Sequence, residues 1–258
     1  MQVLILCAGR GSRLGAQFQS FPKCMVSVRG QSLLKRQIST FNRNRLDNIT
    51  LVIGHAKDSF LSNTEKKVFN PHYANTNMVA SLLIGLRSLS IKEDVLVSYG
   101  DICFTDENLR SLIGSVLAES DTDIHLAADK NWFNLWKQRM PNPLEDGESF
   151  QVGPDGMLQE IGKKIKSELE APAQFIGLYL IKRKSVESLL ELLNSMAIPT
   201  PTDSPIKDLY STDLLNLLIE KGWKIEPTYI SNGWIEVDTL SDVEVYESET
   251  DFDWLGNV

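Results

Sequence analysis

Leu4 to Gly15, LILCAGRGSRLG, is an apolar run entering a loop that carries Gly9, Gly11 and Gly15 together with the cations Arg10 and Arg13; Pro22 and Lys23 follow shortly after. Glycine permits positive φ and close backbone approach, so successive N–H groups can converge on phosphate oxygens. Two fixed cations beside such a nest can hold a triphosphate. The loop is not the dinucleotide fingerprint, because GxGxxG counted from Gly9 needs glycine where Leu14 stands, and the first acid of the chain is Asp47. Nor is it a Walker A loop, which ends in GK[ST]. A glycine-rich turn after a first strand also serves as an ordinary tight turn, and residue types alone leave both readings open.

Two carboxylates stand out next. Val95 to Asp101, VLVSYGD, reads as a buried strand with an acid at its carboxyl end. Ligands of open parallel sheets sit outside that end, so Asp101 is well placed for a metal. Its alternative role, capping the next helix, is better filled by Thr105 or Asp106. In Gly233 to Asp242, GWIEVDTLSD, Asp238 ends an alternating strand and precedes a short helix, and taken alone it reads as a cap. His55, His72, His125 and the three cysteines show no zinc-ligand spacing, and no GxSxG elbow supports serine nucleophile chemistry.

The elements that must position these groups follow from hydrophobic period. Val3 to Ala8 reads as a strand, Leu33, Leu34, Ile38 and Phe41 as a helix face, and Thr50 to Gly54 as a strand. A helix over Thr76 to Leu89, a strand Val95 to Tyr99, a helix Glu107 to Leu117 and a strand Ile124 to Ala128 continue the alternation. Such runs, apolar throughout, suit a Rossmann-like α/β fold: an open, mostly parallel sheet covered by helices on both faces. From Lys130 to Ala173 the texture changes to Asn, Pro, Gly and charge, with strand-like pieces only at Ser149 to Val152 and Met157 to Ile161. Regular elements return with a strand Phe175 to Ile181, helices Ser185 to Met196 and Thr212 to Lys221, and strands Ile225 to Ile230 and Gly233 to Val237. The expectation is a single domain over 1–258 with a lid or acceptor insertion at about 129–174.

The chain has 258 residues, 42% hydrophobic, which excludes bulk disorder. No apolar stretch approaches the roughly 20 residues that span a bilayer, and Val3 to Ala8 is too short and lacks a basic leader for a signal peptide. A net charge of −8 argues against general affinity for nucleic acid or anionic membrane. The charge is unevenly placed. Met1 to Leu46 holds eight Lys or Arg and no acid, whereas nine acids and no Lys or Arg follow Lys224. That split is either chance surface composition or a first segment built to receive an anion. Cys7, Cys24 and Cys103 form no CxxC and read as core thiols of a reducing compartment, so a cytoplasmic location is expected.

LCAGRGSRLG followed by FPKCMVSVRGQSLLKRQI resembles the signature of the nucleotidyltransferases that activate sugar 1-phosphates and phosphocholine, a GxGxR loop with a downstream Pro-Lys and a Gly-x-x-Leu helix. Later pieces match in order, so the resemblance covers most of the chain. It implies attack of an acceptor phosphate oxygen on the α-phosphorus of a nucleoside triphosphate, with pyrophosphate leaving. It implies Lys23 on the α-phosphate, Arg13 on the departing phosphates, and Asp101 with Asp238 on Mg²⁺. Nucleotide contacts would come from Leu6, Ala8, Gly9, Arg10, Gly11, Ser12, Asn77 and Ser81, with CTP as the expected nucleotide. Asn77 and Ser81 also read as a helix cap and a small interface residue.

Trp132 and Trp136 stand one helical turn apart, and LQEIGKK and FIGLY follow at Leu158 to Lys164 and Phe175 to Tyr179. This resembles the branch containing phosphocholine cytidylyltransferases and enzymes acting on aminoethylphosphonate or other phosphorylated amines. Aromatic faces hold a substituted ammonium by cation–π attraction. The resemblance therefore offers Asp129, Trp132, Trp136, Glu160 and Tyr179 as acceptor contacts, although the tryptophans also read as lid packing. A phosphorylated amino acid amide such as phosphoglutamine is a further acceptor, and Arg139 would then meet a substrate carboxylate. The alternatives are a sugar 1-phosphate nucleotidylyltransferase using UTP, CTP or GTP, in which a Glu near Glu160 binds sugar hydroxyls, and a catalytically silent nucleotide-binding regulator. A monomer or homodimer is expected.

Overall fold

In the computed structural model, which describes residues 1–15, 20–117 and 121–256, the apolar runs become strands covered on both faces. The strands are β1 (Gln2–Cys7), β2 (Ser27–Val28), β3 (Gln31–Ser32), β4 (Ile49–Ile53), β5 (Lys66–Phe69), β6 (Val95–Tyr99), β7 (Ile102–Phe104), β8 (Ile124–Asp129), β9 (Glu148–Val152), β10 (Leu158–Lys164), β11 (Gln174–Ile181), β12 (Ile225–Ile230) and β13 (Trp234–Glu236). The helices are α1 (Leu33–Arg43), α2 (Met78–Leu86), α3 (Asp106–Leu117), α4 (Trp132–Arg139), α5 (Arg183–Met196), α6 (Ser211–Glu220) and α7 (Leu240–Ser248). Seven strands form the main sheet in the order β12-β8-β11-β6-β1-β4-β5. All neighbours in it are parallel except β11, which runs antiparallel to both β6 and β8.

Period-two alternation explains why β1 lacks an apolar–polar pattern. Val3, Ile5 and Cys7 enter one core with residues of α1, α3, α4 and α7, while Leu4 enters a second core with residues of α2, α5 and α6. Both faces are covered, so both must be apolar. The unexpected elements are short or mixed in composition: the four-residue edge strand β5, the three-residue strand β7, the β2–β3 hairpin and the helix α4. In α4 the buried residues Trp132, Leu135, Trp136 and Arg139 follow helical spacing, but aromatics, amides and charges obscure it in sequence. Among the described residues no helix is long and apolar enough to cross a membrane, and all three cysteines are free and buried.

The carboxyl ends of β1 and β6 lie side by side and carry the loops that matter. Gly100, between β6 and Asp101, donates its N–H to the Leu6 carbonyl at 3.1 Å. A Cβ there would stand 2.7 Å from that oxygen, so this close approach requires glycine. From the other side, buried Gln37 on α1 donates to the carbonyls of Tyr99 (2.9 Å) and Ile102 (2.7 Å) and accepts from Ser98 Oγ (2.8 Å), which fixes the turn holding Asp101.

The acid-rich C-terminal segment is clamped by the base-rich N-terminal one. Arg29 donates to the Tyr246 and Glu249 carbonyls and to Asp253, each at 2.7 Å, and Arg36 reaches the Leu255 carbonyl. Charged-donor hydrogen bonds contribute about 1.5–3 kcal/mol each, so Arg29→Ala is expected to lower stability by a few kcal/mol, measured by urea unfolding. The exposed Asp253 partner should account for little of that loss.

Candidate active site

Gly11 opens the glycine loop in the left-handed region (φ 63°) and starts a single 3₁₀ turn, Ser12–Leu14. A Cβ on Gly11 would lie 3.1 Å from Lys23 Cβ, so the loop packs directly on the Pro-Lys segment. Pro22 is extended and leads into a second 3₁₀ turn, Lys23–Met25. Lys23 thereby projects its ammonium between two carboxylates, donating to Asp101 Oδ2 at 2.6 Å and Asp238 Oδ1 at 2.5 Å. Arg13 donates to the same Asp238 oxygen at 2.7 Å and stays largely exposed.

Asp101 and Asp238 are 137 positions apart in sequence, and a short antiparallel ladder brings them together. β13 pairs with β7 in the register Trp234↔Phe104, Ile235↔Cys103 and Glu236↔Ile102, and the Val237 N–H donates to the Asp101 carbonyl at 3.0 Å. Asp238 is not the cap of α7. Thr239 is, accepting from the Asp242 N–H, while Asp242 Oδ2 accepts from the N–H groups of Thr239 and Asp238. Asp238 is thus left free to face Lys23. Likewise Thr105, not Asp101, accepts from the Asn108 N–H at the start of α3.

Burial would lower the Lys23 pKa, but Asp101, Asp238 and Glu236 outweigh it and raise it above the ordinary lysine value. Burial also pushes the Asp238 carboxyl up, yet Lys23, Arg13 and Arg139 reverse that and hold it below the usual range. Glu236 has no such surplus of cations. Burial first, then the Asp238 charge, pushes it up to about 8, with Arg139 only partly offsetting them. One oxygen from each of Asp101, Glu236 and Asp238 lies within 4.8 Å of the others, and Asp101 Oδ1 is buried without a hydrogen-bond partner. Such an all-oxygen set, with a donor already stripped of water, fits a hard divalent cation.

Two clefts meet at this cluster. One is lined by Leu6, Ala8, Gly9, Asn77 and Ser81, which brings five of the predicted nucleotide contacts together around Tyr73 and Thr76. The other is lined by Arg13, Trp136, Asp146, Glu148, Gln174, Tyr210, Thr212, Trp234 and Glu236. Met78, Tyr99 and Asp101 line both. Such a geometry can bring two small molecules together at a cationic centre backed by acids.

A family model described as a MobA-like NTP transferase domain matches residues 3–212. The chain belongs to the MobA-like NTP transferase family. A relative named CTP:phosphoglutamine cytidylyltransferase, from Campylobacter jejuni, is 29% identical over 95% of this chain and 98% of its own length. Two solved structures share the fold at 18% identity. The inositol-1-phosphate CTP transferase from T. maritima has a TM-score of 0.71 and covers 95% of this chain and 94% of its own. The CTP:phosphocholine cytidylyltransferase from Streptococcus pneumoniae has a TM-score of 0.69 and covers 95% and 97%.

Within this MobA-like domain the other predicted residues are placed as follows. Arg10, Gly11 and Ser12 form the loop itself, with the Arg10 guanidinium carbon 5.6 Å from the centroid of Tyr73, a wall of the first cleft. Asn77 does not cap α2 with its side chain; it donates to the Asp208 carbonyl at 3.0 Å. Ser81 Oγ accepts from buried Asn70 at 3.0 Å. Of the five residues predicted for the acceptor, Trp136 alone lines the second cleft. Asp129 is fully buried; it accepts from the N–H groups of Asn131 and Asn232 and from Trp234 Nε1. Trp132 is buried and donates Nε1 to the Ala171 carbonyl. Tyr179 is packed in the core against Phe175. Glu160, on β10, pairs with Lys163 and accepts from Ser149. Arg139 is buried among Glu236, Asp238 and Asp242, beyond reach of a substrate carboxylate.

Besides the acid cluster, the second cleft carries two further acids that sequence reasoning missed, Asp146 and Glu148. Their segment, NPLEDGES, gives no period, and Glu148 stands just before the strand-like piece Ser149 to Val152, where an acid looks like surface. Glu236 was missed because alternation along GWIEVD marks it as the solvent face of a strand.

Proposed function

We propose that this chain transfers the cytidylyl group of CTP to a small phosphorylated amine-type acceptor, such as phosphocholine, aminoethylphosphonate or a phosphorylated amino acid amide like phosphoglutamine, in a Mg²⁺-assisted reaction. The carrying observation is Lys23, set between Asp101 and Asp238 where the two clefts meet. An acceptor phosphate oxygen attacks the α-phosphorus, a new P–O bond forms, and the bond to the β-phosphate breaks with its electron pair leaving on pyrophosphate. The nucleophile is already an anion, so no general base is needed and the work reduces to alignment and charge neutralisation. Lys23 meets the charge on the α-phosphate, and exposed Arg13 meets the departing phosphates. Asp101 and Asp238, with Glu236 beside them, would hold Mg²⁺, which supplies fixed positive charge against phosphate oxygens. CTP as donor is supported by the relative of 29% identity, and by an amide- and hydroxyl-edged first cleft that can satisfy a pyrimidine.

The amine reading is supported by the second cleft. The segment 129–174, which we read as the acceptor-binding insertion, supplies Trp136, Asp146, Glu148 and Gln174 to it. Arg13 is the one Lys or Arg among the residues lining this cleft. Burial, then Asp146 and Asp213, pushes the Glu148 carboxyl up to about 7. A bound ammonium would supply the missing positive charge. Because the ionised form binds the cation and Glu148 titrates near 7, the acceptor KM is expected to rise as pH falls through that value and to level off above it. Glu148→Gln should raise the KM and remove that pH dependence, as read from KM profiles between pH 5.5 and 8.5.

A pyrophosphate-release screen tests the reading directly: CTP, UTP and GTP against phosphocholine, aminoethylphosphonate, phosphoglutamine and sugar 1-phosphates. Release with CTP and a phosphorylated amine or amide is expected. Release with a sugar 1-phosphate alone would assign the chain to sugar activation instead. Nucleotide binding without turnover on any acceptor would make it a silent regulator.

A further inference from the structure

Arg139 closes α4 with its side chain only 1% exposed, and it lines neither cleft. Its guanidinium nevertheless touches three residues of the second cleft, Glu236, Asp238 and Trp136. One edge grips Asp242 through Nε to Oδ1 (3.1 Å) and Nη2 to Oδ2 (3.3 Å). The other reaches Glu236 Oε2 and Asp238 Oδ2, each at 3.4 Å. Asp242 in turn accepts from the Asp238 N–H at 2.8 Å, so Arg139 holds Asp238 by its carboxylate and, through Asp242, by its backbone. The face of the same guanidinium lies 4.6 Å from the centroid of Trp136, a wall of the acceptor-side cleft, and Trp136 donates Nε1 to Asp146.

We propose that Arg139 is a positioning residue that holds the acid cluster and the acceptor wall in one fixed arrangement: its edges orient Glu236 and Asp238, and its face orients Trp136. The inference rests on the reading of Asp101 and Asp238 as a metal site. Only arginine can serve here. It stays charged when buried, its planar fork addresses three acids at once, and its flat face stacks on an indole, whereas a lysine ammonium is a single point. The contacts to Glu236 and Asp238 are long for charge-assisted hydrogen bonds, which leaves Asp238 able to serve Lys23, Arg13 or a metal at the same time.

The test uses Mn²⁺ binding to the 258-residue chain, followed by electron paramagnetic resonance without nucleotide or acceptor, alongside the acceptor KM. Outer-shell partners of metal ligands are worth about 10- to 100-fold in metal affinity, so Arg139→Lys should weaken Mn²⁺ binding by that order and raise the acceptor KM as well. Trp136→Leu is the sharper variant. Trp136 spends its hydrogen bond on Asp146 and reaches the acids only through its neighbours Arg139 and Trp234; roughly 2- to 10-fold weaker Mn²⁺ binding is expected from the lost stacking, and the loss should shrink when Trp136→Leu is added to Arg139→Lys if Arg139 carries it. A purely structural Arg139 would lower only the yield of active protein. Arg139→Lys with wild-type circular dichroism, Mn²⁺ binding and acceptor KM would overturn the proposal. If that variant does not fold, Trp136→Leu decides: a changed acceptor KM with unchanged Mn²⁺ binding overturns it equally. Wild-type protein that binds no Mn²⁺ would remove the metal reading itself, a result distinct from wild-type binding that the variants leave intact.

Discussion

Lys23→Ala is expected to lower turnover by about 10²- to 10³-fold, the scale of losing one preorganised donor to a developing oxyanion. Lys23 is a largely buried cation against Asp101, which lines both clefts, and exposed Arg13 cannot replace it because its side chain reaches Asp238 from the solvent side. The same substitution has a second signature. Without the ammonium, Asp101, Asp238 and Glu236 face one another with no cation at their centre. Breaking a buried pair by removing one partner costs about 3–5 kcal/mol, so the variant should melt earlier than wild type. A divalent ion can occupy the vacated centre, so Mg²⁺ should raise the melting temperature of Lys23→Ala more than that of the wild type. Differential scanning fluorimetry with and without Mg²⁺ checks this. Near wild-type turnover in the variant would remove Lys23 from the reaction.

Asp238→Asn should be at least as damaging, about 10³-fold in turnover, because it withdraws one charge from three cations and from the metal set together. Lys23, Arg13 and Arg139 all point at this carboxylate. Asparagine keeps its shape but provides neither a charge nor a hard anionic ligand. Mn²⁺ affinity should fall in parallel with turnover. The Lys23 pKa, raised in the wild type in part by Asp238, should move back down. Loss of turnover with undiminished Mn²⁺ binding would place Asp238 outside the metal set.

Much of this arrangement could be read from residue types, for a definable reason. The central strands announce themselves because both their faces are buried, and the glycine loop with Pro-Lys is local, so its spacing survives in the chain. Arg13, Lys23, Asp101 and Asp238 converge as that pattern suggests. What escapes sequence reading is non-local and short. The ladder that joins Asp101 to Asp238 pairs the expected strand at Gly233 to Val237 with β7, whose three residues carry too little period to be seen. Asp129, expected as an acceptor contact, ends β8 with its oxygens spent on two backbone N–H groups and an indole. Trp132 and Trp136 share a helical turn, but one faces the core and the other the cleft, a difference set by the packing of α4 against the Ala171 region.

The lopsided charge also acquires a physical meaning. Arg13 and Lys23 pair with Asp238, and Arg29 with Asp253. The base-rich beginning therefore holds the acid-rich end in place. Arg13 lines the second cleft, and Lys23 lines a small pocket with Leu6, Gly9, Gly100 and Asp101, so that a nucleotide can compete there for both cations.

Nucleotidyl transfer is tested most directly by following the label from [α-³²P]CTP and, in parallel, [γ-³²P]CTP with Mg²⁺ and the best phosphorylated amine or amide acceptor. The expected result is α-label in the acceptor product, equal in amount to the pyrophosphate released, with γ-label found only in pyrophosphate. Label moving from the γ position to the acceptor, or no α-label on any acceptor, would contradict it.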